Sequence, residues 1–232
     1  MVNVKNITNR GEYNDPKTGH FPAKYQELNN IDYYANRDAQ VLKFLKKQPW
    51  VDSKKMVIAG HSEGGTIVAK LATISKDVTH VISSSANPFG QMATIVYSTR
   101  KYDDSVGTSV NEQFDYWEKL VNRSTEIPLA PGYTHEQMFK YLLSANQPSF
   151  NNFQKIKVPV LVTYGTKDNC APFNDYMRIA MIREKKKNFT FKDYQGLEHN
   201  YFKVDANGKG IPDRGIGWTQ TAKDWKAWLD KN

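Results

Sequence analysis

The chain has 232 residues, 39% hydrophobic and 24% charged, which suits one large domain with a sizeable core. Aromatic residues at 12% exclude a disordered chain, and one cysteine, Cys170, excludes a disulfide framework or a cysteine-rich zinc site. The net charge is +8, but the lysines are spread along the chain. The densest groups, Lys54-Lys55 and Lys185-Lys186-Lys187, each precede an apolar or β-branched run and read as solvated lips before strands. A nucleic-acid partner is therefore not expected. No run approaches the ~18 apolar residues of a membrane span. The stretch from Met1 to Thr8 has neither the apolar segment nor the cleavage site of a signal peptide, so the chain as it stands is expected in the cytoplasm.

In chain order, Ile31, Tyr34, Ala35, Asp38, Val41, Leu42 and Leu45 share one face of a helix spanning 30–48, stopped by Pro49. Lys55 to Gly60 is a short apolar run ending in glycine, the mark of a buried strand, and Thr66 to Ile74 is helical in period. Val78 to Ser83 and Val158 to Tyr164 are further strands. Between Pro88 and Phe153 the alternation stops, and about 65 residues become aromatic and helical. Such an insertion at one edge of a sheet reads as a cap over a pocket. A helix at 174–185, a strand at Phe189 to Tyr194 and a last helix at 219–231 follow, the last with Ala222, Trp225 and Leu229 on one stripe. Strands alternating with helices predict an α/β fold: one domain over 1–232, with a mostly parallel sheet covered by helices on both faces.

Gly60-His61-Ser62-Glu63-Gly64-Gly65 stands between a strand and a helix. It matches G-x-S-x-G, a turn so tight that small residues flank the serine, lifting its hydroxyl above the carboxyl end of the sheet. A serine nucleophile needs a base, and the base an orienting carboxylate. Of the histidines, His61 lies inside the turn, His20 and His135 in polar stretches, and His80 in or before a strand. His199 follows the strand ending at Tyr194, and Asp168 follows the strand ending at Tyr164. Both would open on the same sheet edge as Ser62. The order Ser62, Asp168, His199 is that of the α/β-hydrolase arrangement.

Over nearly its whole length the chain resembles the α/β-hydrolase superfamily. It is most similar to bacterial esterases and dienelactone-hydrolase-like proteins, whose turn often reads G-H-S-E-G-G. The resemblance implies Ser62 as nucleophile, His199 as general base and acid, Asp168 as orienting carboxylate, and the backbone N–H of Glu63 as an oxyanion donor. It also implies strands ahead of one at Lys5 to Asn9, with a second oxyanion donor after one of them. Since 61 residues precede Ser62, those parts are expected to be missing, leaving a sheet edge that a homodimer could cover.

The expected activity is cleavage of a small-molecule carboxylic ester through an acyl-enzyme, with neither cofactor nor metal. The alternatives are a catalytically impaired hydrolase-fold binding protein and a prolyl-oligopeptidase-type peptidase. The stretch from Asp205 to Asp213 loosely resembles a calcium loop, but Lys209 stands where an oxygen ligand belongs, so a plain surface loop is favoured. Cys170, beside Asp168, reads as filler.

Overall fold

In the computed structural model, which describes residues 23–102, 109–212 and 215–232, two helices come first: α1 (Ala23–Leu28) and α2 (Ile31–Leu45). Asn30 caps α2, its side chain accepting from the Tyr33 N–H at 2.8 Å. Then come β1 (Val57–His61), α3 (Glu63–Ile74) and β2 (His80–Ser84). Four helices follow: α4 (Gln91–Lys101), α5 (Val110–Val121), α6 (His135–Ala145) and the short α7 (Phe150–Phe153). The chain returns as β3 (Val160–Gly165), α8 (Ala171–Arg183) and β4 (Phe189–Tyr194). A small hairpin, β5 (Lys203–Val204) with β6 (Gly210–Ile211), precedes α9 (Ile216–Leu229). The strand expected at Lys5 to Asn9 lies outside the described residues.

The sheet order is β1-β2-β3-β4, and every pairing is parallel. β2 and β3 are buried along their whole length, whereas β1 and β4 are partly exposed. Alternation divides the strands between two faces. Ile58, Val81, Val160, Val162 and Tyr164 pack against Ala35 and Leu42 of α2, Val68 and Leu71 of α3, and Met177 and Met181 of α8. Ile82 and Leu161 face the other way, onto Trp228 of α9. Helices thus cover both faces, as expected for a parallel sheet. One detail differs: Trp225 and Leu229 of the expected stripe pack beside Trp228, but Ala222 is exposed, and the buried positions of this face are Thr221 and Trp228. The Trp228 indole fixes that rotation by donating to Thr190 Oγ1 at 3.1 Å.

The region from Pro88 to Phe153 leaves the sheet between β2 and β3, which are neighbours, so it emerges from mid-sheet rather than from a lateral edge. It has a small core of its own, Leu120 and Ile127 against Met138 and Phe139. Capping boxes at Ser109/Glu112 and Thr134/Gln137 start α5 and α6. Ser144 Oγ accepts from the Ile31 N–H at 2.7 Å and ties α6 to α2.

The turn from β1 into α3 is the tightest point of the frame. Ser62 has φ 57° and ψ −123°, a region costly for a residue with a side chain. A Cβ on Gly60 would lie 2.0 Å from the carbonyl oxygen of Gly64, so only glycine fits there. A Cβ on Gly64 would meet nothing within 4 Å. The two glycines of the motif are thus unequal. Gly60→Ala should destabilise the fold by about 1–3 kcal/mol or more through overpacking, whereas Gly64→Ala should be near neutral. Chemical denaturation of the two variants compares them directly, and equal losses would contradict this asymmetry.

Candidate active site

Because β1 to β4 run parallel and in register, their carboxyl ends finish together. His61 pairs with Ser84, Ser84 with Thr163, and Gly165 with Tyr194. The loops that follow therefore open on one side. The Ser62 N–H donates to the carbonyl of Ser84 at 2.8 Å, which pins the turn to the end of β2.

Asp168 and His199 arrive from the loops after β3 and β4. Those loops touch closely: a Cβ on Gly165 would lie 2.1 Å from the carbonyl oxygen of Leu197, and the Lys167 N–H donates to that carbonyl at 2.9 Å. The Asp168 carboxylate is buried, with its side chain only 2% exposed. Its Oδ1 accepts from the Cys170 N–H at 2.9 Å, and its Oδ2 lies 3.1 Å from His199 Nδ1. His199 Nε2 lies 2.9 Å from Ser62 Oγ. A carboxylate only accepts, so the network assigns the ring proton to Nδ1 and leaves Nε2 to accept from the serine hydroxyl. The three residues picked out in the sequence therefore form one hydrogen-bonded line.

Charge follows from this geometry. The hydrogen bond to Asp168 raises His199 above the ordinary imidazole value, against the opposing effect of burial. His61, tilted 48° to His199 with ring centroids 5.0 Å apart, is pushed down to about 4 by burial and by the neighbouring imidazole. Only one of the two adjacent imidazoles is set up to carry a proton near neutral pH. Glu63, next to Ser62, is raised by burial, and its Oε1 has no hydrogen-bond partner among the described residues. Burial thus disfavours the charged form of this carboxyl beside Ser62.

Tyr201 is the residue that sequence reasoning missed. It is fully buried at φ 60°, two positions after His199. Its hydroxyl shares hydrogen bonds with Ser84 Oγ at 2.5 Å and Thr163 Oγ1 at 2.9 Å, at the carboxyl ends of β2 and β3. Ser84 Oγ in turn lies 3.0 Å from His61 Nδ1. The phenol thus anchors the His199 loop to the two central strands. No local pattern marks Tyr201 in the sequence, because its partners Ser84 and Thr163 lie 117 and 38 positions away. The other described histidines are elsewhere: His80 packs on Trp228, and His135 opens α6 with Nε2 3.0 Å from the Ile127 carbonyl. His20 lies outside the described residues. Asp205 terminates β5 by accepting from the Asn207 and Lys209 N–H groups, both at 2.9 Å, and so closes a hairpin turn.

A cavity of about 450 Å³ opens at Ser62 and His199. Its wall includes Gln91, Thr94, Ile95 and Tyr102 from α4 and its end, and Ala145 from α6. Ile31, Ile95 and Ala145 are its aliphatic residues; Thr66, Ser85, Asn87, Gln91, Thr94 and Asn169 present hydrogen-bonding groups.

A family model described as BAAT / acyl-CoA thioester hydrolase C terminal matches residues 30–199. The chain belongs to this family. Its fold is that of the α/β hydrolases, and the family is one of hydrolases. Among solved structures, the chain is similar to acetyl xylan esterase 1 of Thermoanaerobacterium sp., at 20% identity and TM-score 0.47. That match covers 84% of this chain and 52% of the esterase, so the chain spans about half of that protein. It is similar to an α/β hydrolase of Penicillium sp. at 14% identity and TM-score 0.52, covering 86% of this chain and 71% of that one. It is also similar to dipeptidyl peptidase 4 of Porphyromonas gingivalis at 12% identity and TM-score 0.53, covering 90% of this chain and 24% of the peptidase. No curated protein matches the chain in sequence.

Two predictions follow from the hydrogen-bonded line and its anchor. If neutral His199 is the base, protonation abolishes its function, and a raised value moves that loss to higher pH. The acidic limb of kcat/KM should then have its midpoint above about 6.5, and Asp168→Asn should move it down. A limb unmoved by Asp168→Asn would assign the titration to another group. Tyr201→Phe keeps the ring but removes the anchor, and should lower kcat by about tenfold to a hundredfold with KM within about twofold. A matched loss in both constants would point to general loosening instead.

Proposed function

We propose that the chain is a serine hydrolase that cleaves carboxylic esters through an acyl-enzyme. The observation that carries this reading is the line Asp168–His199–Ser62, with contacts of 3.1 and 2.9 Å. Ser62 Oγ attacks the ester carbonyl while His199 Nε2 takes its proton. Asp168 holds the ring in the tautomer that leaves Nε2 free and stabilises the imidazolium that forms. The tetrahedral oxyanion is held by the Glu63 N–H, at the start of α3, where first-turn amides lack intrahelical partners. The imidazolium then protonates the departing alkoxide, and a water activated by His199 releases the acid and restores Ser62. Nucleophile, base and donor all belong to the chain, so the reaction needs no cofactor.

The cavity bears on the substrate. Helices α4 and α6 act as the cap, and the wall they complete joins aliphatic groups to polar ones that already bond one another or a neighbour, Asn87 to Thr94 and Asn169 to Ser98. A thioester is the second reading, favoured by the description of the family the chain matches. Its carbonyl chemistry is the same, and a thiolate leaves with less help from His199.

The test uses an alkyl fluorophosphonate probe and p-nitrophenyl esters. The unmodified chain should be labelled and should turn over the acetate or butyrate ester. Ser62→Ala should lose labelling and lower kcat by up to ~10⁶, with His199→Ala nearly as damaging. Turnover that survives Ser62→Ala would place the chemistry elsewhere, and absence of both labelling and turnover would favour a silent binding protein.

A further inference from the structure

Cys170 has no part in the hydrolysis described above, yet its thiol faces two groups that do. It stands at the start of α8, lines the cavity, and is the only cysteine of the chain. One ligand atom from each of Asp168, Cys170 and His199 lies within 4.8 Å of the other two. This is the one group of three metal-ligating side chains found among the described residues. We infer that Asp168, Cys170 and His199 form an inhibitory site for a borderline divalent transition metal such as Zn²⁺ or Co²⁺.

The donor set is the first argument. One carboxylate oxygen, one imidazole nitrogen and one thiolate sulfur suit a tetrahedral zinc or cobalt centre with a fourth position open. Hard cations such as Mg²⁺ or Ca²⁺, which take oxygen ligands, are disfavoured by the sulfur and nitrogen. Two anionic ligands would also balance the two positive charges of the metal, which limits the cost of holding it in a buried place. Spacing is the second argument. Metal–ligand bonds of about 2.0–2.3 Å place tetrahedral ligands roughly 3.3–3.7 Å apart. His199 Nδ1 and Asp168 Oδ2, at 3.1 Å, are already close to that. The widest separation must close by about 1 Å, which side-chain rotation supplies. Access is the third, since all three residues line the same cavity.

The consequence for the hydrolase follows from proton bookkeeping. The metal replaces the thiol proton of Cys170, which leaves to solvent. It also takes the Nδ1 position, and the neutral ring then carries its proton on Nε2. That nitrogen now donates toward Ser62 Oγ instead of accepting from it, so the serine has no base. The metal thereby holds His199 in the wrong tautomer without touching the nucleophile.

The experiment titrates the metal-free, folded chain with Co²⁺ and records both absorption and ester turnover. A thiolate-to-cobalt charge-transfer band should appear, and with one cysteine in the chain it can report only Cys170. The band should persist in Ser62→Ala and vanish in Cys170→Ser and Cys170→Ala, with circular dichroism confirming that each variant is folded. Co²⁺ or Zn²⁺ should inhibit turnover reversibly with a chelator. The half-inhibiting concentration should rise at least about tenfold in Cys170→Ala, since even outer partners of a metal site are worth that much. Each variant is compared with its own metal-free rate. The inhibition arm rests on the hydrolase reading, but the cobalt band does not, so a chain that proves inactive still decides the site. No charge-transfer band in the folded chain, or equal inhibition of Cys170→Ala and the unmodified protein, would overturn the inference.

Discussion

The contact between Gly60 and Gly64, backbone against backbone, governs how everything else at the site is arranged. It lets α3 leave β1 without a connecting loop, so the helix start lies directly behind Ser62. The strained φ of 57° at Ser62 is held because both neighbours are fixed elsewhere. β1 is paired to β2, and α3 is packed on the sheet through Val68 and Leu71. Strain of about 1–3 kcal/mol persists only where surrounding structure over-determines the residue. Here a parallel ladder on one side and an apolar helix face on the other do so.

A serine fixed this way is useful only if its partners are fixed to a similar precision. Their loops carry no regular structure, so other contacts must hold them. Asp168 is held by the Cys170 N–H and by the tight meeting of Gly165 with Leu197. His199 is held by its carboxylate on one side and, two residues later, by Tyr201 at the ends of β2 and β3. The phenol bonds the same two strands whose burial gives the sheet its rigidity. Sheet and site therefore share one set of hydrogen bonds at their boundary.

Burial acts in opposite senses on the charges around Ser62. It drives His61 down and Glu63 up, which favours the neutral form of each. His199 escapes the same fate because its partner is a carboxylate, and that single bond outweighs desolvation. Burial thus disfavours charge on both residues flanking the serine, while the hydrogen bond to Asp168 favours the protonated form of the ring that faces it. The same convergence of nitrogen, oxygen and sulfur in a small volume is what makes a metal a plausible competitor for that ring.

Much of this was legible in the sequence. Apolar runs separated by helical periods marked β2 and β3 within a few residues, because strands buried on both faces must be apolar throughout, and the apolar and aromatic residues of the partly exposed β1 and β4 marked those two. The glycines around Ser62, and the placing of Asp168 and His199 after strands, marked the site because the turn and the sheet edge constrain which residues fit. Other features were not legible. Periodicity finds Trp225 and Leu229 on the packed side of α9 but not the exposure of Ala222, because Trp228 is anchored by Thr190 across the sheet and local spacing cannot register that bond. The point where the 88–153 insertion leaves the sheet depended on strand order, which no local pattern encodes. Tyr201 and the proximity of the Cys170 thiol to His199 were also invisible. The sequence by itself determined the strands, the serine turn and the three candidate residues, since local sterics and burial act on near neighbours. Only the tertiary structure decided what anchors them and what else they can bind, since those contacts join residues far apart in the chain.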